Sequence, residues 1–377
     1  MVYFSKKGEA MSSLLVRQAH EGDNEQLLKL SRDCPVLGPI SFYQEREPRF
    51  FTLNELQGES YQVYVVESED EIVGSISCAL RWTYLNNQEF PTWYVGDLKI
   101  APRMRGKGVL REFVTQASRL FWEKGKKADL GMSLIVKTNP ASRVLTGVRP
   151  YMPHFVPLGT IRNYAIHLLF PKKGEDHYQV TRATGEDTEA MTDLLKRAYI
   201  QKQFSPVIES AGFWKRVEQT PGLGLHDFYL AKYQGRILGL VAIWDQQSFK
   251  KVKILSFSPS VRLYRSLYNL FARVLGFQPI PPPRSFLPYF YLTHLAIAGD
   301  DPAVFRALIN RIHNDHLHGP YAFFTMGLPA GSPLENAMRG FFYHTFDSLA
   351  FAVMPRGSTW QKFDFHRRPL YVDTALT

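Results

Sequence analysis

Arg103-Met104-Arg105-Gly106-Lys107-Gly108 puts two glycines and three cations into six residues. Glycine leaves the backbone bare, so amide N–H groups can approach a diphosphate closely. Pro102 ends the preceding strand, because proline cannot donate to a sheet ladder. After the loop, Leu110, Phe113, Val114, Ala117, Leu120 and Phe121 recur at helical spacing and predict a helix with one buried face. Its N-terminus would add unpaired N–H donors and a positive dipole end. The chemistry this points to is the holding of a pyrophosphate. Two better-known phosphate loops do not fit. A P-loop ends in Gly-Lys-Ser/Thr, whereas Val109 follows Gly108 here. The dinucleotide pattern Gly-x-Gly-x-x-Gly is also missing. The plain alternative is a glycine turn on a basic surface.

Several elements must position this loop, and the chain is long enough for two sets of them. At 377 residues it exceeds one ordinary core, so two domains are expected. Leu14-Leu15-Val16-Arg17-Gln18-Ala19-His20-Glu21-Gly22-Asp23 and Tyr178-Gln179-Val180-Thr181-Arg182-Ala183-Thr184-Gly185-Glu186-Asp187 both read as a strand and a helix-capping turn. Tyr61–Val66 with Glu71–Ile76, and Phe228–Lys232 with Arg236–Val241, both read as hairpins. Tyr94–Ala101 and Tyr291–Ala298 are each a strand leading into a helix. In the second helix Phe305, Leu308, Ile309 and Ile312 form the apolar stripe. The shared order argues for a tandem duplication joined at 171–176. The expected division is 12–172, 177–356 and a C-terminal tail at 357–377. The second half carries an insert at 258–286. There Leu263, Leu267, Leu270, Phe271 and Val274 predict a packed helix whose Arg262, Arg265 and Arg273 are solvated, with a membrane-surface role as the less favoured alternative, followed by a stiff Pro281-Pro282-Pro283.

Composition narrows the function classes. Hydrophobic residues make up 45% and charged residues 21%, an ordinary globular balance. The two cysteines, Cys34 and Cys78, lie far apart and in no metal-type cluster, which argues for a reduced, cytoplasmic compartment and no metal site. The N-terminus lacks the apolar run of a signal peptide, and Met11 is an alternative start, since the folded pattern begins near Leu14. No stretch approaches the roughly 20 apolar residues of a membrane span. The net charge of +10 is uneven: residues 51–100 hold two Lys/Arg against eight Asp/Glu, and residues 101–150 hold eleven against three. The positive block surrounds the glycine loop and suits a phosphate-rich ligand. A nucleic-acid reader is the less favoured use of that charge, because basic and aromatic residues are not interleaved along a strand and no reader motif is present.

Val95-Gly96-Asp97-Leu98-Lys99-Ile100-Ala101-Pro102 followed by Arg103 to Leu110 resembles the diagnostic segment of the GNAT superfamily of acyl-CoA-dependent N-acetyltransferases. Ser133-Leu134-Ile135-Val136 with Asn139 and Ala141 resembles the family's next strand and helix start. The resemblance covers about 14–170, with a weaker version over about 178–354. It implies an α/β fold of two tandem domains, each a twisted mixed sheet with splayed central strands flanked by helices. It also implies that Leu98, Lys99 and Ile100 pair with the pantetheine arm of acetyl-CoA. Arg103, Arg105, Gly106, Lys107, Gly108 and Val109 would hold its pyrophosphate, and Asn139 would sit near the cofactor.

The implied reaction is attack of a neutral primary amine, on a small molecule or a protein, upon the thioester. Backbone N–H groups of the splayed strand could stabilise the oxyanion. Asp97, beside the expected thioester, is the candidate base. Where many members carry a general-acid Tyr this chain has Thr146, and the usual Gly-Phe is replaced by Gly147-Val148, so Tyr151 is the candidate acid. In the second copy Gly299-Asp300-Asp301-Pro302 replaces the loop and His294 replaces Asp97. Its carboxylates would repel a pyrophosphate, so this copy is expected to keep the fold without binding CoA in the standard way, and to wall the acceptor pocket instead. His294, His313, His316, His318 and His344 form no recognised metal-ligand spacing and are unassigned polar candidates. The alternative function is a non-catalytic acyl-CoA-binding or interaction protein.

Overall fold

The computed structural model describes residues 14–124, 128–139, 147, 149–175 and 177–377. The first half runs β1 (Leu15–Gln18), α1 (Asn24–Asp33), β2 (Ile40–Glu45), α2 (Thr52–Leu56), β3 (Ser60–Ser68), β4 (Glu71–Leu85), β5 (Gln88–Ile100), α3 (Val109–Lys124), β6 (Gly131–Val136) and β7 (His154–His167). The second runs β8 (Gln179–Arg182), α4 (Thr188–Tyr199), β9 (Ser205–Pro206), α5 (Ser210–Gln219), β10 (Phe228–Tyr233), β11 (Arg236–Trp244), β12 (Lys251–Phe257), α6 (Pro259–Leu275), β13 (Tyr289–Ile297), α7 (Pro302–His316), β14 (Phe323–Pro329) and β15 (Tyr343–Met354).

The two halves repeat local devices as well as element order. Asp23 accepts from the His20 N–H at 2.8 Å, and Asp187 accepts from the Thr184 N–H at 3.0 Å, each closing the turn before the first helix of its copy. Both hairpin turns have two successive residues in the left-handed region: Glu69 and Asp70, then Gln234 and Gly235. Turns of that kind match the right-handed twist of the strands they join.

One mixed sheet holds both copies, in the order β1-β3-β4-β5-β6-β15-β7-β14-β13-β11-β10-β8, with β9 on the edge of β4. The last strands are exchanged. β15, from the second half, lies between β6 and β7 of the first, pairing Ser348 with Val136 on one side and with Ile161 on the other. β7 in turn pairs with β14. A separate ribbon pairs β2 with β12.

Helices cover the sheet where the apolar spacing predicts. Val109, Phe113, Ala117 and Phe121 of α3 are buried with α1 against β3–β5. Phe305, Leu308, Ile309 and Ile312 of α7 are fully buried on β10, β11, β13 and β14. Each such side chain contributes about 2–3 kcal/mol through removal from water. α4 and α5 cover the opposite face of the second copy.

One expectation from sequence is corrected. In α6 the apolar stripe is not packed: Leu263, Leu267, Leu270, Phe271 and Val274 all face solvent. The inward side is the polar one. Asn269 Nδ2 donates to the Ile280 carbonyl at 2.9 Å, and the Ile280 N–H donates back to Asn269 Oδ1 at 2.8 Å. Arg265 Nε reaches the Ile280 and Pro281 carbonyls at 3.0 Å each. The prolines leave carbonyls without ladder partners, and these recruit the polar face. The C-terminal tail, 357–377, packs onto the body, with Phe365, Tyr371, Val372 and Ala375 buried.

Candidate functional site

A β-bulge controls the geometry of β5. Its pairing with β4 shifts between Ser75 and Ser77, leaving Asp97 in the left-handed region at φ 54°. The equivalent shift on β13 falls between Leu240 and Ala242 of its partner, and His294 sits at φ 55°. Such a bulge bends a strand and sharpens its twist. Accordingly β5 and β6, which are parallel, pair only at Trp93–Gly131 and Tyr94–Met132. Beyond that point, among the described residues, the edge of β5 from Val95 to Ile100, including Leu98 and Lys99, has no strand partner, and neither has the facing edge of β6. The gap is a slot for an extended chain that completes both ladders.

The glycine loop stands at the end of this slot. Pro102–Met104 form one 3-10 turn, and α3 starts at Val109. Gly106 and Gly108 have φ of 78° and 82°, and a Cβ on either would meet nothing within 4 Å. Their glycine identity is therefore set by backbone conformation and by open space in front of the loop. Arg103, Arg105, Lys107 and both glycines are exposed, while Val109 is buried. Arg103 pairs with Glu71 at 2.5 Å, and Arg105 Nε donates to the Ile100 carbonyl at 3.0 Å. Asn139 is exposed just past β6, and its N–H bonds the Val136 carbonyl at 2.9 Å. Ala141, Thr146 and Val148 lie outside the described residues. The Tyr151 hydroxyl oxygen accepts from Arg149 Nη1 at 3.0 Å, and its ring lies beneath the Arg111 guanidinium of α3. It thus stands beside the first turn of the loop helix.

Asp97 is held by two cations, Lys99 Nζ at 2.8 Å and Arg46 Nη1 at 2.5 Å. Burial pushes its carboxyl up, but the two cations outweigh that and hold it well below the usual carboxylate range. A carboxylate so paired is a poor proton acceptor at neutral pH, which weighs against the role expected of it. Arg46 itself is 1% exposed, stacks on Phe50 at 4.2 Å and continues the network. Its Nη2 donates to Asn54 Oδ1 at 2.9 Å, Asn54 Nδ2 to Gln57 Oε1 at 3.1 Å, and Gln57 Nε2 to the Leu376 carbonyl at 2.9 Å. Sequence reasoning missed Arg46, Asn54 and Gln57. Arg46 stands between Glu45 and Glu47 and reads as ordinary surface charge.

The second copy has the same slot with other contents. β13 and β14 pair from Tyr289–Phe323 to Tyr291–Thr325 and then part. The chain's own 370–374 segment enters between them: Asp373 Oδ2 accepts from Thr293 Oγ1 at 2.5 Å, and Thr374 packs so tightly on Gly327 that a Cβ there would lie 2.4 Å from its methyl. A cavity of about 350 Å³ remains, lined by His294, Lys202, Asp300 and the 365–374 segment. At the start of α7 the Asp301 carboxylate accepts from the Ala303 N–H at 2.8 Å, occupying the position a phosphate would take, and Asp300 is paired with Lys202 at 2.7 Å.

The other histidines are dispersed. His313 is buried beneath the 167–169 backbone, His316 meets Tyr229, His318 bonds the Gly276 carbonyl, and His344 packs on His167. Among the described residues no group of three or more His, Cys, Asp or Glu is placed to hold a metal ion, and no helix is long and apolar enough to cross a membrane.

Residues 24–143 match the model of the acetyltransferase (GNAT) family. No curated protein sequence matches the chain. Among solved structures, a GCN5-related N-acetyltransferase from Sphaerobacter thermophilus aligns at 11% identity and TM-score 0.55, over 93% of this chain and 97% of that one. A probable N-acyltransferase from Enterococcus faecalis aligns at 11% and 0.53, over 93% and 75%. Saccharomyces cerevisiae N-myristoyltransferase with bound myristoyl-CoA aligns at 14% and 0.58, over 98% and 92%. At these identities the likeness establishes a shared fold.

Proposed function

We propose that this chain, which has the GNAT acyltransferase fold in two tandem copies, is an acyl-CoA-dependent N-acyltransferase that moves an acetyl group to a primary amine through its first copy. One observation carries the reading: the unpaired slot between β5 and β6 runs directly into a loop with two left-handed glycines and three exposed cations at a helix start. The pantetheine arm fills the slot along Leu98 to Ile100, and the pyrophosphate rests on Arg103 to Val109 with Asn139 alongside. The amine attacks the thioester carbonyl, its lone pair forms the amide bond, and the C–S bond breaks. Backbone N–H groups beside the Asp97 bulge stabilise the oxyanion. The amine proton leaves through water, and the departing thiolate takes up a proton, with Tyr151 as its donor.

Asp97 fixes the bulge by binding Lys99 and Arg46. The second copy, its slot filled by 370–374 and its helix start capped by Asp301, serves as a wall. The decisive measurement is acetyl-CoA binding by calorimetry with Gly106→Glu as the control. A left-handed site and an added carboxylate are both hostile to the loop's ligand, so binding should fall by about a hundredfold or more. Undiminished binding by Gly106→Glu sinks the loop assignment. Comparing acetyl-CoA with myristoyl-CoA in the same cell settles the acyl length. Binding without turnover of any amine would favour an acyl-CoA-binding protein.

A further inference from the structure

We infer that α6 is a docking element for an anionic lipid bilayer surface, a role independent of the acyl-transfer reading. The helix is inverted relative to an ordinary surface helix. Its polar side, Arg265, Tyr268 and Asn269, is tied by hydrogen bonds to carbonyls of the proline segment. Its apolar side points out, with Leu263 at 64%, Phe271 at 63% and Val274 at 79% exposure. Helix termini are well formed: Ser258 Oγ accepts from the Val261 N–H, and Gly276 closes the end at φ 71°. A rigid apolar ridge is thus presented deliberately, not by fraying.

The ridge does not stand alone. Tyr264 meets His344 of β15 with ring centroids 6.0 Å apart, and the neighbouring Phe342 and Phe346 are also exposed. Soluble monomers rarely expose contiguous apolar patches beyond a few hundred Å².

Charge selects the occupant. From residue 246 to residue 299 the chain has seven Lys/Arg and no Asp or Glu. Arg262 and Arg273 are exposed on one flank of the ridge, and Arg284 is exposed on the proline segment. An apolar face edged by arginines and aromatics is the composition that settles into the boundary between headgroups and acyl chains. Basic residues near an anionic leaflet add about 1 kcal/mol each, equivalent to roughly fivefold in partitioning. A second copy of the chain fits less well, because a twofold contact on α6 would bring two arginine-edged ridges together with no acidic partner in this segment.

The test is flotation of the full-length protein with phosphatidylcholine vesicles, with and without phosphatidylserine. Binding is expected to vesicles containing phosphatidylserine, to weaken with added salt, and to drop by about tenfold or more in Leu267→Asp/Phe271→Asp. Arg262→Gln/Arg273→Gln should reduce it less. Because these side chains are exposed, circular dichroism and acetyl-CoA binding should be unchanged, which separates this proposal from the catalytic one. No flotation at low salt overturns it. So does flotation untouched by the double Asp variant, or a sedimentation-detected dimer that this variant dissociates.

Discussion

Arg46 and Asp97 form the pair on which the first site is built. Arg46 is almost wholly buried, and the carboxylate beside it balances its charge. Removing one member of such a pair typically costs about 3–5 kcal/mol, because the other is left buried and uncompensated. Asp97→Asn is therefore expected to lower thermal stability strongly, whereas Arg46→Met with Asp97→Asn recovers part of the loss; differential scanning calorimetry of the three proteins checks this. Since the Asp97 carboxyl is depressed in the folded state, its stabilisation is complete above the ordinary Asp value of about 3.9 and is lost as pH falls below it. Two histidines act earlier in an acid titration. Burial first, then nearby positive charge, lowers His167 and His313 to about 4. Unfolded imidazoles take up protons from about pH 6.5 downward, while these two stay neutral until about pH 4. Stability should therefore decline across that window, and His313→Phe should flatten the decline in urea melts taken from pH 7 to pH 4.5.

At the scale of elements, the chain repeats its bulge but not its loop. Asp97 and His294 occupy one backbone position with the same left-handed φ, so both copies splay their central strands. What differs is the start of the following helix. α3 leaves its first turn open behind two glycines, whereas α7 is capped by Asp301. Asp301→Ala should cost about 1 kcal/mol through loss of that cap, read as a lowered melting temperature, without changing acetyl-CoA affinity. The opposite result, a stable variant with altered affinity, would move the ligand to the second copy. α6 shows how far one element can depart from its pattern. Its 3–4 spacing is a correct sign of helix, yet the proline segment claims the polar side and turns the apolar side outward.

For the whole molecule, the exchange of last strands makes the two copies one folding unit. Without β15, both β6 and β7 would present unpaired edges to solvent. Residues 1–172 produced alone are expected to be insoluble or unfolded, and co-production with 177–377 should restore a soluble complex with the native circular dichroism spectrum. Independent folding of 1–172 would contradict the interlocked sheet. The C-terminal segment adds a second tie: Tyr371 bonds Tyr199 at 2.8 Å, and Lys250 holds the Ala375 and Thr377 carbonyls at 3.1 and 2.9 Å.

Periodicity and turn chemistry are local, and so the sequence alone carries the repeated strand–helix order, the two hairpin turns, the buried faces of α3 and α7, and the glycine loop with its cations. A residue's own neighbours decide these features. The partner of Arg46, the destination of β15, the burial of 365–375 and the outward face of α6 depend on residues up to hundreds of positions away. No local pattern encodes such a partner, and tertiary packing alone selects it. The glycine loop proposed to hold a pyrophosphate was thus legible from Gly106 and Gly108, while the doubly paired state of Asp97, which sets its chemistry, came only with the fold.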